Sequence, residues 1–275
     1  MAARIMIGGL RCCLRSNIPD VHFLMTGLYR NFVATEFCGS ETEAILNQDD
    51  SSHFSWRLCE KAGMASTLPS ALWSLEAALC EAIIRSQRRS IAIHAATIPI
   101  GNSTALLVAS SGTGKTTLSL ALARRGLPAA GDDVALVEPD TLDVIPIPRC
   151  FHVDDRGAAL LEADGLRLPP AWARFRFIVP NDFGAPAAPP SRTGRLIFMR
   201  GPRAGHASIA PVSQAEMTAR LLSETGKGPL SDPETIAVIS RLAASASCFA
   251  LTPGPLGETA DAVAALLNES KKTAG

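Results

Sequence analysis

Neither sign of charge prevails in this chain, whose 275 residues carry 26 basic and 26 acidic side chains. A formal charge of zero speaks against a broad nucleic-acid or anionic-membrane surface, although a local basic patch would be averaged away. Long apolar runs are missing too, and none approaches the length a membrane span needs. The opening stretch Met1-Ala-Ala-Arg-Ile-Met-Ile7 lacks a signal peptide's charged head and long apolar core. The seven cysteines (12, 13, 38, 59, 80, 150, 248) form no Cys-x-x-Cys pair and no Cys/His ligand spacing, which argues against zinc. Cys12-Cys13 is the one cluster, and odd, scattered cysteines fit free thiols in a reducing compartment. These absences lead to the expectation of a soluble, cytoplasmic protein with no membrane and no nucleic-acid partner. Hydrophobic content of 47% is enough for one large domain, or one domain plus a small one.

The most informative segment present is Ala109-Ser-Ser-Gly-Thr-Gly-Lys-Thr116, between the apolar run Ala105–Val108 and the leucine-rich Leu118–Ala123. It reads as strand, glycine loop, helix, the context of a phosphate-binding P-loop. Successive backbone N–H groups in such a loop converge on one anion, and the following helix points its positive end at the same place. Gly112 and Gly114 let the backbone approach phosphate oxygens. The expected nucleotide-binding residues are therefore Ser110, Ser111, Gly112, Thr113, Gly114, Lys115, Thr116 and Thr117. Lys115 would reach the β- and γ-phosphates of ATP, and the Thr116 hydroxyl would sit on Mg2+. The first position of the usual pattern is Ala109 rather than glycine.

Around this loop the sequence predicts an α/β organisation. Residues 1–68 alternate short apolar runs with turn formers and read as a small α+β or β-rich N-terminal module. Residues 69–275 read as the P-loop domain. Leu68-Pro-Ser70 starts a helix whose Leu72, Leu75, Leu79, Ile83 and Ile84 recur at helical spacing. Ile91–Ile98 follows as a strand, turning at Gly101-Asn102 into Ala105–Val108. Gly126 caps the P-loop helix. Gly131–Val137, Pro139-Asp140-Thr141 and Leu142–Ile147 read as a hairpin. Pro180–Gly194 is a proline-rich loop, Arg195–Met199 a strand, and Ser213-Gln-Ala-Glu216 a capping box. Asp232-Pro233 opens another helix, and a last amphipathic helix covers about 258–267.

Three features narrow the chemistry. Asp132-Asp133 places two carboxylates beside the expected phosphates, where one can hold magnesium and the other can accept a proton from an attacking hydroxyl. His94 lies in the apolar strand that the hairpin would bring next to the P-loop strand. Arg149, Arg200 and Arg203 stand at strand ends, where ligands of α/β sheets collect and where they could balance transferring charge.

This combination resembles the HPr kinase/phosphorylase family. The matching parts are Ile93-His94, the loop Ser111–Thr116, the helix ending Arg125-Gly126 and the segment Asp132-Asp-Val134. The match is good over about residues 90–150 and weaker in the helices to about 268. The layout looks more like the related kinases of lasso-peptide gene clusters, which phosphorylate a serine hydroxyl on a precursor peptide. The resemblance implies an HPr-kinase-like P-loop core using ATP and Mg2+, with Thr116 and Asp132 on the metal. It further implies Asp133 as general base, His94 beside the reacting phosphoryl group, and Lys115 on phosphate. Arg149 is counted with that catalytic set for its strand-end position. Nothing in the chain matches the family's Glu-Ile-Arg-Gly-Leu-Gly signature, to which Pro146–Val153 is the nearest segment. That segment supplies an arginine and no acid. HPr kinases are hexamers, so a homo-oligomer is a further expectation.

The function expected is thus an ATP- and Mg2+-dependent kinase acting on a serine-type hydroxyl of a peptide or small protein. Two alternatives stand beside it. A small-metabolite kinase would usually carry an arginine-bearing lid, and none is evident. A nucleotide-binding regulatory or assembly protein without phosphotransfer would keep Lys115 but not need Asp133. Asp154-Asp-Arg-Gly157 mimics a GTPase Asp-x-x-Gly motif, but no Asn-Lys-x-Asp sequence accompanies it.

Overall fold

The computed structural model describes residues 2–7, 10–19, 21, 25, 29, 33, 41–49, 51–87, 89–147, 150–169, 175–178, 188–201, 204–226, 228 and 230–273. It is a mixed α/β structure with several sheets and, among the described residues, six helices. No described helix is long and apolar enough to cross a membrane, and none of the six described cysteines is in a disulfide. The chain divides into two compact units, Met1–Arg88 and Arg89–Gly275.

The first unit is a five-stranded sheet in sequence order, β1 (Ala2–Ile7), β2 (Leu10–Ser16), β3 (Thr42–Gln48), β4 (Phe54–Leu58) and β5 (Lys61–Ala65). All neighbours are antiparallel except the parallel pair β2 and β3. Helix α1 (Leu68–Ser86) follows. Thr67 caps it by accepting from the Ser70 N–H, and a proline sits in its first turn, where no intrahelical donor is lost. Its apolar stripe, Leu72, Leu75, Leu79 and Ile83, is buried. The helix packs on β4 and β5. The boundary between units therefore falls after this helix, where the sequence suggested a break before it.

The second unit is built on an eight-stranded sheet. Its strands are β6 (Ile91–Ile93), β7 (Ala95–Ile100), β8 (Ser103–Val108), β9 (Ala135–Val137), β10 (Asp143–Pro146), β13 (Ser191–Met199), β14 (Ser208–Pro211) and β15 (Ser247–Thr252). The central ladder is parallel, with β8 on one side of β13 and β15 on the other. β11 (Phe151–Asp154) and β12 (Phe175–Ile178) form a separate two-stranded ribbon.

Helices cover both faces of the central ladder. Leu107 and Ile197 join the cluster that holds Leu118, Leu120, Leu161 and Val263. These belong to α2 (Lys115–Ala123), α3 (Asp155–Ala163) and α6 (Leu256–Thr273). Leu106, Val108 and Leu196 point the other way, to Met217, Leu221, Val238 and Leu242. Those come from α4 (Gln214–Ser223) and α5 (Asp232–Ala244). Successive residues buried on opposite faces are the mark of a sheet sandwiched between helix layers.

Several sequence expectations are altered by the fold. The strand 91–98 is broken at His94, where the chain stops pairing with β9 and starts pairing with β8. β13 begins at Ser191, so 191–194 are strand rather than loop, with Thr193 buried. Residues 180–187 of that expected loop lie outside the described residues. At Ser213 only half the capping box forms: the hydroxyl accepts from the Glu216 N–H, while the Glu216 carboxylate goes to Arg200 at 2.7 Å. Ser231, at the head of α5, instead donates its N–H to Glu234. Asp154 proves to be the N-cap of α3, accepting from the Gly157 N–H at 2.7 Å. That accounts for the Asp-x-x-Gly string as a helix start.

Candidate functional site

The glycine loop leaves the C-terminal end of β8 and enters α2 at Lys115, with Gly112 and Gly114 at φ of 75° and 102°. Only glycine adopts such angles without strain, and the space a Cβ would occupy at both positions is open. The first N–H groups of α2 have no intrahelical acceptor and give that end a partial positive charge. This is a cradle suited to an anion. Ala109, which replaces the usual glycine, is fully buried in the core beneath the loop. A small apolar side chain is accommodated there because that position faces the core.

A second wall comes from the hairpin of β9 and β10. Gly131 approaches the backbone so closely that a Cβ there would lie 2.7 Å from the Ile147 oxygen. Its carbonyl accepts from the Thr97 N–H at 2.8 Å, and the Ala130 N–H donates to the Thr97 oxygen at 2.8 Å. These bonds pin the segment against β7, and the next two residues are the aspartates. Asp132 is buried and accepts from the Thr116 hydroxyl at 2.6 Å. Asp133 is partly open, its side chain 35% exposed, with Oδ1 3.0 Å from His94 Nε2. Two adjacent carboxylates thus have different surroundings, one turned to the helix start and one to the histidine.

His94 stands at the break between β6 and β7, at the same end of the β7–β8 hairpin as the glycine loop. Its Nδ1 lies 3.4 Å from Glu224 Oε2 and 3.5 Å from Lys115 Nζ. Lys115 also donates to the Ala109 carbonyl and, at 3.3 Å, to that of Ser110. Burial pushes this ammonium down to about 8, against the pull of Asp133, Glu224 and Asp132, which raise it.

The structure therefore brings Lys115, Thr116, Asp132, Asp133 and His94 to the loop formed by Ser110, Ser111, Gly112, Thr113 and Gly114. Thr117 packs toward α3, where a Cβ on Gly157 would meet its hydroxyl at 2.9 Å. Arg149 and Arg203 lie outside the described residues. Arg200 is held by Glu216, and the adjacent Gly201 borders Thr113 of the loop. Sequence reasoning missed Glu224. It is 130 residues from His94, and no spacing signal links the two.

The donor set suits a magnesium nucleotide. The Thr116 hydroxyl and the Asp132 carboxylate are hard oxygens side by side, and magnesium takes one or two carboxylates together with waters and phosphate oxygens.

No family model matches this sequence, and no curated protein matches it. Among solved structures, the HPr(Ser) kinase/phosphatase from Coxiella burnetii is similar. It shares 14% identity over 66% of this chain and 91% of its own length, with a TM-score of 0.33. Likeness at that level transfers no role to any residue.

Proposed function

We propose that this protein is an ATP- and Mg2+-dependent kinase that transfers the γ-phosphoryl group to a serine-type hydroxyl of a peptide or small protein. The observation that carries the reading is the placing of Asp133, partly exposed and in contact with His94, near a glycine loop whose lysine is buried. Lys115 and the loop N–H groups bind and orient the phosphates. Thr116 and Asp132 would hold magnesium, which when bound neutralises charge on the phosphate oxygens. Asp133 accepts the proton of the acceptor hydroxyl, and His94 holds that carboxylate in place. Much of the rate then comes from positioning and charge neutralisation rather than covalent chemistry.

The test uses γ-labelled ATP and an array of serine-containing peptides, lasso-peptide precursors among them. Wild-type protein should label peptide, and Asp133→Asn should bind MgATP with near-normal affinity yet lose transfer roughly 100-fold or more. Undiminished transfer by Asp133→Asn would remove this mechanism. Nucleotide binding with no transfer to any peptide would favour a regulatory or assembly role.

A further inference from the structure

Glu224 directly follows the last residue of α4 and caps that helix. Its position is fixed by backbone. The His94 N–H donates to the Glu224 carbonyl at 2.8 Å, the Gly226 N–H to that of Ala92 at 3.1 Å, and Ile93 forms an antiparallel bridge with Thr225. Residues 224–226 thus add a short strand-like segment beside β6. The side chain is only 11% exposed. One carboxylate oxygen accepts from the Ser110 hydroxyl at 2.6 Å, and the other lies 3.4 Å from His94 Nδ1. On the far side of the ring, Nε2 faces Asp133.

This is an unfavourable place for an acid. The C-terminal end of a helix is its negative pole, which disfavours a carboxylate, and the nearby Lys115 ammonium is the charge that opposes this. Burial adds a desolvation cost unless hydrogen bonds offset it. Breaches of local preference concentrate at functional sites, and here the carboxylate's hydrogen-bond partners among the described residues are Ser110 of the loop and the histidine.

We propose that Glu224 is a positioning residue: it holds the His94 imidazole from the Nδ1 side so that Nε2 meets Asp133, and it sets the register of that pair against the glycine loop through Ser110. The proposal rests on the kinase reading above. Glu224 itself takes no proton from the acceptor and touches no phosphate. Its effect passes through the orientation of His94.

The experiment compares full-length Glu224→Ala and Glu224→Gln with wild type. Glutamine keeps an oxygen at the same reach without the charge. Three quantities are read: MgATP affinity by calorimetry, kcat and KM for labelled transfer to serine peptides, and the ring-nitrogen NMR signals of His94, assigned with His94→Gln. Glu224→Ala should lower kcat roughly 10- to 100-fold, as small misplacements do, leave the KM for ATP within about threefold, and shift the His94 ring signals. Glu224→Gln should recover most of kcat and of the ring signals. Unchanged kcat and ring signals in the alanine variant would overturn the proposal, as would a glutamine variant that falls as far as alanine. If wild type binds MgATP but transfers nothing, the kinase reading fails alone. The ring signals then still decide whether Glu224 orients His94.

Discussion

The two units use their sheets in opposite ways. In β8, Leu106, Leu107 and Val108 are all fully buried in succession, because helices lie on both faces. In β3, buried Ala44 and Leu46 alternate with more open neighbours, and α1 lies over strands of this sheet. Its other face carries ion pairs such as Arg15–Glu43 at 2.9 Å and Arg57–Glu43 at 3.4 Å. A strand gripped from both sides delivers the loop at its end to a fixed place, which is what a site that works by positioning requires. A half-covered sheet offers surface instead. The glycine loop and both aspartates belong to the gripped sheet.

That contrast can be broken at four points. The largest effect belongs to Lys115→Met, which on the proposed kinase reading should weaken MgATP binding at least roughly a hundredfold by calorimetry, because that reading puts the buried ammonium on the phosphates. Next, alanine at either Leu106 or Leu107 should cost about 2–5 kcal/mol in urea unfolding. In β3, Leu46→Ala should cost a similar amount, while its neighbour Ile45→Ala should cost about 1 kcal/mol or less. Equal costs at Ile45 and Leu46 would erase the distinction between the sheets.

A third effect follows from Lys115. Burial holds its pKa down to about 8 in the folded protein, against 10.5 for an ordinary lysine. At this lysine the unfolded chain binds more protons between those values, so stability should rise by about 1 kcal/mol between pH 8 and 9. Above about 9 the raised thiols of Cys12 and Cys248, which keep their protons longer in the folded chain, oppose a further rise. Nucleotide affinity should fall over the same range as the ammonium is lost. Lys115→Met should abolish the rise in stability, which unfolding curves on either side of pH 8 would show. The smallest effect is Arg57→Ala on the open face, expected within about 0.5 kcal/mol of wild type by thermal unfolding because the pair is exposed.

What could be read from sequence was local. The order strand, glycine loop, helix depends on residues that are chain neighbours, and so does the 131–147 hairpin. Even His94 could be brought toward the loop, because a two-residue turn at Gly101-Asn102 fixes which strands pair. Glu224 could not. Its place depends on the end of α4 meeting β6, a long-range contact that nothing in either segment announces. The start of β13 at Ser191 was hidden for a related reason. Ser191-Arg-Thr-Gly194 is turn-like in composition, and pairing with Ser103 and Thr104 of β8 makes its Arg192 and Thr193 strand. The unit boundary moved because helical periodicity reveals an apolar stripe without saying which sheet will cover it.

Helix α4 ties these observations together. It gives up the acidic half of its N-terminal capping box to hold Arg200, and it keeps an acid at its C-terminal end against His94 and Ser110. Ten residues of helix measure about 15 Å. The helix is thus a rigid strut between the arginine that follows β13 and the histidine beside β6. Arg200 directly precedes Gly201, which borders Thr113, and Glu224 accepts from Ser110, so the two ends of one helix bear on two residues of the same glycine loop.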